Sequence, residues 1–463
     1  MLSLDDTISA ISTPVGDGGI GIVRLSGPQS EAILRRLCRP VRLGRRRPFE
    51  SHRMFYGHVF DPESAEVIDE VLAVLMRAPT TYTREDVAEI HCHGSIVALN
   101  RVLALTLRCG ARLAQPGEFT LRAFVNGRID LAQAEAVLDL IRAKTDAGQR
   151  LAMRQLQGAL SEHAAEIRSQ LITALAHVEA SLDFPDDEIP SLDIASALHE
   201  VEAQLGRLIE GASKGMVYRN GLRVAIVGRP NVGKSSLLNA LLRTDRAIVT
   251  HLPGTTRDTL EEMLNLRGVP LVLVDTAGIA SSAGLVESLG IERSCRELET
   301  ADLVILVLDG SQVLQSEDFR IASLIGNKAA IVVVNKMDIP LMAEHERILP
   351  ELSHICLSAL TGVGLNELEE AILAVVFAGG AISSDPLLVS NPRHVDALRR
   401  TLDHVSSAAA LQSSGAVASI RCDCEDILAF SLRAAVTALG EITGETVGED
   451  VLDAVFAEFC IGK

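Results

Sequence analysis

The sequence predicts a multidomain chain: an N-terminal mixed α/β domain, a helical bundle, and a domain with a mainly parallel sheet inserted into that bundle. Three observations carry this expectation. To about residue 120, short apolar runs alternate with turn residues. From Leu131 to about Val217 the apolar period becomes helical. Between Arg223 and about Gly380, apolar strands alternate with helical stretches, and the helical period returns beyond Asp385. At 463 residues the chain has room for two to four domains. We place them at 1–122, 123–216, 217–382 and 383–463. The second and fourth are read as halves of one bundle; two separate helical domains are the alternative.

Within the first part, Gly19–Arg24, Val71–Arg77 and Val87–His91 read as strands. Gly94–Cys109 reads as a helix, with Ile96, Leu99, Val102, Leu103 and Leu107 on one face. Leu131, Ala134, Val137, Leu138 and Ile141 recur at helical spacing, as do Leu156, Leu160, Ala164, Ile167, Leu171, Ala174 and Val178. Phe184–Pro190 is a turn, and a third helix is expected from about Ser191 to Ile209. Arg223–Gly228, Leu271–Val274, Leu303–Leu308, Ala330–Val334 and Ile355–Leu357 are the strands of the βα rhythm, a parallel sheet covered on both faces.

Composition narrows the function. Cores must be built without tryptophan from a 48% hydrophobic fraction. The net charge of −18 argues against binding nucleic acid over the whole surface. A local basic cluster, Arg35, Arg36, Arg39, Arg42, Arg45, Arg46 and Arg47, reads either as a solvated helix face and loop or as a phosphate contact. Eight scattered cysteines read as reduced cytosolic thiols, and Asp5 and Asp6 stand where a signal peptide would be basic. Ile372–Ile382 is apolar but too short to span a bilayer. A cytoplasmic protein without a membrane segment is expected.

Four motifs carry the chemistry. Gly228-Arg-Pro-Asn-Val-Gly-Lys-Ser235 matches G-x-x-x-x-G-K-[ST] and stands between an expected strand and an expected helix. Its backbone amides suit phosphates, Lys234 the β/γ-phosphates and Ser235 a Mg²⁺ ion. Asp275-Thr-Ala-Gly278 follows an apolar strand and suits the Mg²⁺ shell and the γ-phosphate. In Asn335-Lys-Met-Asp338, the Asp338 carboxylate can accept two bonds from guanine that adenine cannot offer. Ser358-Ala-Leu360 closes over the guanine O6. Gly254-Thr-Thr-Arg-Asp258 lies where a switch loop belongs. Together these imply a Ras-like P-loop GTPase domain. Its expected nucleotide contacts are Asn231, Val232, Gly233, Lys234, Ser235 and Ser236, then Thr250, His251, Leu252, Pro253, Gly254, Thr255 and Thr256. Asp275, Thr276, Ala277 and Gly278 follow, with Asn335, Lys336, Asp338, Ser358, Ala359 and Leu360 around the base. Ile279 stands where Ras-like GTPases carry a water-orienting Gln, so hydrolysis needs another group. Glu287 lies downstream and reads, on spacing alone, as a surface carboxylate or a catalyst.

End to end, the chain resembles the bacterial tRNA-modification GTPase family, MnmE (also called TrmE). The carriers are Asp6-Thr-Ile, Gly18–Arg24, Tyr82-Thr-Arg-Glu-Asp86, His93-Gly94, Ala114–Phe119, Arg122–Asn126, Asp130–Glu135, the GTPase motifs, and Phe459-Cys-Ile-Gly-Lys463. The resemblance implies that the N-terminal domain binds 5-formyl- or 5,10-methylene-tetrahydrofolate through Arg24, Glu89, Arg128 and Lys463, with Cys460 a candidate for one-carbon chemistry. It implies a homodimer held by that domain, and activation when two GTPase domains meet around K⁺. The K⁺ ligands would be Asn231, Thr250, the Leu252 carbonyl and Thr255. Ser235 and Thr256 would hold Mg²⁺, and Glu287 would orient water. It implies an FAD-dependent MnmG/GidA-type partner in a heterotetramer, and a tRNA whose wobble uridine is modified at C5 using glycine or ammonium. Departures from the family pattern are Ile279-Ala-Ser-Ser282 after the D-T-A-G motif, Ser95 where a second Gly is usual, and Arg128 where Lys is common. A regulatory switch GTPase in ribosome assembly is the rival reading, and the N-terminal set with Lys463 speaks against it.

Overall fold

The computed structural model describes residues 5–14, 16, 18–41, 49–184, 193–244, 262–273, 298, 300–342, 344–377, 389–413 and 421–463. Alternating burial builds the first sheet from β1 (Ile8–Ile11), β2 (Gly18–Ser26), β3 (Cys38–Pro40), β4 (Arg53–Phe60), β5 (Val67–Met76), β6 (Val87–Gly94) and β7 (Arg112–Leu113). The strand order is β3-β4-β5-β6-β2-β1-β7, antiparallel except where β1 meets β7. Helices α1 (Ser30–Leu37) and α2 (Ile96–Arg108) supply Ile33, Leu34, Leu37, Leu99 and Val102 to a core with Val23, Leu25, Leu75 and Ile90. Side chains alternate across a strand, so the intervening residues, Arg24 and Glu89 among them, stand on the other face.

β5 and β6 extend beyond their apolar runs because backbone pairing continues past the hydrophobic stretch. Strands β1, β3, β4 and β7 had no counterpart in the sequence reading. Their runs are short, or broken by Arg53, Gly57 and His58.

Helices α3 (Glu118–Val125), α4 (Leu131–Arg142), α5 (Asp146–Leu156), α6 (Ala159–Asp183) and α7 (Ile194–Asn220) follow. The periodic run begun at Leu156 is split by a turn at Gln157–Gly158. The third long helix starts later and ends later than expected. It starts where the Asp193 carboxylate accepts from the Ser196 amide, an N-cap. Beyond Ile209, two glycines weaken the helical signal, yet the helix continues to Asn220. Gly215 is needed for close approach: a Cβ there would lie 2.2 Å from the Val389 carbonyl oxygen. The Phe184–Pro190 turn lies outside the described residues beyond Phe184.

The second sheet contains β8 (Leu222–Val227), β9 (Glu262–Leu266), β10 (Val269–Leu273), β11 (Leu303–Asp309), β12 (Ala330–Asn335) and β13 (His354–Cys356). Its order is β13-β12-β11-β8-β10-β9, parallel throughout except for the edge pair β9–β10. Every residue of β11 and β12 is buried, as both-face coverage requires. α8 (Lys234–Thr244) and α10 (Leu365–Phe377) contribute to the core on one face, and α9 (Ser316–Ile325) contributes to the other. α11 (Pro392–Ser413) packs along α7, and α12 (Arg421–Thr443) and α13 (Glu449–Ala457) complete the helices.

Two compact units emerge. One comprises Met1–Leu138, Leu156–Arg168 and Thr437–Lys463; the other comprises Asp139–Gln155 and Ser169–Val436. Among the described residues, no helix is long and apolar enough to cross a membrane.

Candidate functional site

The phosphate loop leaves the C-terminal end of β8 and enters α8 at Lys234, with Ser235 and Ser236 in its first turn. Asn231, exposed, takes φ +67°, and Val232 is buried beneath it. Lys234 Nζ donates to the carbonyls of Gly228 (2.7 Å) and Arg229 (2.8 Å), folding the ammonium back over the loop.

The base-side loops converge on the same place because β12 and β13 run parallel to β8 in the same sheet, with β11 between β8 and β12. Asn335, ending β12 and 2% exposed, donates through Nδ2 to the Val232 carbonyl (2.9 Å) and accepts from the Ala359 amide (3.0 Å). One side chain thus ties the phosphate loop to the Ser358–Leu360 loop. Ser358 Oγ donates to Asp338 Oδ1 at 2.5 Å, orienting an exposed carboxylate. Lys336 Nζ pairs with Asp309 Oδ2 at 2.7 Å. Burial works to raise the Asp309 carboxyl, but Lys336 and Ser311 override it and hold it below its ordinary value. Leu360 is 84% exposed at the loop tip.

Asn231, Val232, Gly233, Lys234, Ser235, Ser236, Asn335, Lys336, Asp338, Ser358, Ala359 and Leu360 all lie on these loops and their flanking elements. Thr250, His251, Leu252, Pro253, Gly254, Thr255, Thr256, Asp275, Thr276, Ala277, Gly278, Ile279 and Glu287 lie outside the described residues. The sequence reading missed the Asn335 bridge and the Lys336–Asp309 pair. An Asp ending an apolar strand in register with Asn335 was the available signal.

The second candidate site lies in the other unit. Arg24 on β2 and Glu89 on β6 are direct cross-strand partners, and Arg24 Nε donates to Glu89 Oε1 at 2.8 Å. His91, on the same face, places Nε2 3.2 Å from Glu89 Oε2. The His91 bond, with the Arg24 charge, outweighs burial and holds Glu89 below the ordinary glutamate range. The Arg24 guanidinium lies over the Phe119 ring, 5.7 Å from its centroid, and that of Arg128 over Tyr82 at 4.7 Å. Phe119 packs with Ile8, Ala10 and Ala114, with Tyr82 against that cluster, so the two cations sit on neighbouring aromatic surfaces. Sequence reading missed His91, Phe119 and Tyr82; the Glu89-Ile-His91 alternation was the visible hint.

The C-terminal segment docks here. Pro116 and Ile461 form an antiparallel bridge, and the Gly117 amide donates to the Cys460 carbonyl at 3.4 Å. Gly462 takes φ +94°, and a Cβ on it would lie 2.3 Å from the Ile11 carbonyl oxygen, so only glycine passes the end of β1. Phe456 and Phe459 are buried with residues of α3 and α4. Cys460 is exposed with a free thiol, and Lys463 is partly exposed.

Beneath the site, Arg122 is fully buried. It donates to Asp6 Oδ1 (2.5 Å) and Glu118 Oε1 (3.1 Å), while Arg112 donates to Asp6 Oδ2 (2.7 Å) and Glu118 Oε1 (2.6 Å). Burial pushes both carboxyls up; the arginine bonds overcome it and hold both below their ordinary values. This network fixes the start of α3, and with it Phe119.

Of the described residues of the basic cluster, Arg35 and Arg39 are engaged in packing, and Arg36 is exposed on α1. Arg35 pairs with Glu31 and lies over Phe49, and Arg39 lies over Phe60. Arg42, Arg45, Arg46 and Arg47 lie outside the described residues.

A family model described as the MnmE helical domain matches residues 131–460, and one described as the GTP-binding protein TrmE N-terminus matches residues 7–128. The tRNA modification GTPase MnmE of Chloroflexus aurantiacus is 50% identical over 467 residues, covering 99% of this chain and 100% of that protein. Proteins of the same name from Roseiflexus sp. (49% over 470 residues, 99% of each chain) and Alkaliphilus oremlandii (46% over 467 residues, 99% and 100%) are similar along their whole length.

Proposed function

The chain belongs to the MnmE family of tRNA modification GTPases, a GTP-hydrolysing enzyme, and from that premise we propose the reaction, partners and residues that follow. It acts as a homodimer with an FAD-dependent MnmG/GidA-type partner in a heterotetramer. Together they install an aminomethyl or carboxymethylaminomethyl group at C5 of the wobble uridine of certain tRNAs. The working parts are a folate-binding and dimerising domain (1–122), a helical domain in two pieces (123–216 and 383–463) and a GTPase domain (217–382). GTP turnover opens and closes the GTPase domains; it does not itself make the new bond. The setting is the cytoplasm.

Lys234 rests on two neutral carbonyls, and a phosphate is the stronger partner for its charge, so nucleotide binding draws it off them. Asp338, held by Ser358, reads guanine. Mg²⁺, when bound to Ser235 and Thr256, neutralises phosphate charge. K⁺, when held by Asn231, Thr250, the Leu252 carbonyl and Thr255, supplies the positive charge that an arginine finger supplies elsewhere. Glu287 orients the attacking water, which Ile279 cannot do.

In the N-terminal domain the donor set suits a folate: a lowered carboxylate, flanking cations and aromatic surfaces. Glu89, oriented by Arg24 and His91, accepts pterin N–H bonds, while Arg128 and Lys463 hold the glutamyl carboxylate. When bound, 5-formyl- or 5,10-methylene-tetrahydrofolate supplies the one-carbon unit, with Cys460 close to that chemistry.

One observation carries this reading beyond a GTPase switch: the C-terminal segment is bridged to Pro116 in the domain that holds Arg24 and Glu89. The test is mass analysis of tRNA nucleosides from cells lacking the protein. Modified wobble uridines should be lost, restored by the full chain, and not restored by a chain without Lys463 whose GTP turnover persists. Unchanged wobble uridines in the deletion strain would sink the proposal.

A further inference from the structure

Arg229, the second residue of the phosphate loop, does not face the nucleotide side. It is 8% exposed, and its Nε donates to Asp318 Oδ1 at 2.7 Å. Asp318 is 1% exposed and already occupied: its Oδ2 accepts from the Gln315 amide at 2.9 Å, half of the reciprocal cap that starts α9. The helix is in turn anchored by Ala322 and Ile325 in the core with Val304, Leu306 and Val332. Asp318 therefore cannot follow Arg229 if the loop moves.

The backbone on either side of Arg229 is constrained as well. Pro230 disfavours a helical conformation at Arg229, and Asn231 is in the left-handed region. The Arg229 carbonyl accepts from Lys234, the cation expected to meet phosphate. Farther along, Val232 is pinned through its carbonyl by Asn335. The loop is thus tied to the sheet domain in both halves, by Arg229–Asp318 in the first and by Asn335 at Val232 in the second. A buried ion pair is a poor source of stability compared with an apolar pair of like volume, but its geometry is demanding.

We propose that the Arg229–Asp318 pair is a positioning device for the phosphate loop, holding the Gly228–Arg229 segment so that the following amides and Lys234 meet the phosphates. This rests on the nucleotide-site reading above.

The test uses the full-length chain and titrates GDP and, by competition, guanosine. Arg229→Met and Asp318→Asn should weaken GDP roughly tenfold or more, the scale of one lost charge-assisted hydrogen bond, while guanosine affinity stays as in the parent. Arg229→Lys should recover part of the GDP affinity. Gln315→Ala, which strips the other half of the same cap but leaves the ion pair, should bind GDP as the parent does. Unchanged GDP affinity in Arg229→Met and Asp318→Asn, equal losses for GDP and guanosine, or an equal loss in Gln315→Ala would each overturn the proposal. Should Arg229→Met fail to fold, a parent-like ratio of GDP to guanosine affinity in Arg229→Lys and Asp318→Asn overturns it alone. A parent chain that binds neither ligand removes the nucleotide-site reading and this role together.

Discussion

The phosphate loop and the N-terminal site hold their cations in opposite ways. Lys234 donates to two neutral carbonyls, whereas Arg24 is committed to the Glu89 carboxylate. The Gly228 and Arg229 carbonyls are neutral acceptors, and a phosphate is a stronger partner for an ammonium than either. A cation already paired serves to orient its partner. Among the described residues, Arg128 and Lys463 have no carboxylate partner; in the folate-binding role proposed above, the glutamyl carboxylate is assigned to them. The phosphate-loop cation is bonded to backbone carbonyls, whereas the N-terminal cation is locked into a side-chain pattern centred on Glu89.

Three experiments press on that contrast. The largest effect belongs to Arg122→Met. It leaves the buried Glu118 and the partly exposed Asp6 to Arg112 alone and removes the Arg122 contact of Glu85; removal of one partner from a buried ionic network costs about 3–5 kcal/mol. Denaturant unfolding should show the loss in the N-terminal unit. If stability is unchanged, α3 is held by apolar packing alone and the pre-set pattern has another origin.

Next comes Lys234→Ala. If charge governs the phosphate loop, GTP turnover should fall by about a hundredfold or more, the effect of removing one preorganised electrostatic donor, with folate affinity unaltered. Turnover within a few-fold of the parent would break the contrast on its nucleotide side.

The smallest effect is in pH. Asp6 and Glu118 are both held below their ordinary values in the folded chain. On acidification the unfolded chain therefore takes up protons first. The stability these groups contribute is present above about pH 4, where unfolded carboxyls are ionised, and is lost as pH falls through the lowered native values. Thermal unfolding across pH 7 to 3 should be nearly flat and then decline. Arg122→Met should show a shallower decline at the acid end; an identical slope would remove this network as its source.

The same contrast governs what could be read from the chain before folding. In the parallel sheet, chemistry sits in short contiguous motifs just past strand ends, so Gly228–Ser235, Asn335–Asp338 and Ser358–Leu360 are visible as strings. Spacing alone does not join Arg24 to Glu89, because their proximity is a matter of antiparallel register. Nor does it join Pro116 to Ile461; resemblance to a family supplied only the grouping of Arg24 and Glu89 with Arg128 and Lys463. Arg229 was visible as a motif filler, and its partner Asp318, far along the chain in a helix cap, was not. Helix α7 ran past its expected end because Gly215, a weak helix former, serves a close backbone approach that no local pattern records.

The bridge between Pro116 and Ile461 also sets a schedule. Those two residues leave the ribosome more than three hundred codons apart, on the order of twenty seconds to a minute at ordinary rates of synthesis. Throughout that interval the nascent N-terminal domain lacks the strand segment that lies against Pro116 and the end of β1, along with the Phe456 and Phe459 rings that pack on α3 and α4. The first domain to be made is thus among the last to be finished, and truncated translation products lack the contacts that the C-terminal segment makes with Pro116, Gly117 and α3.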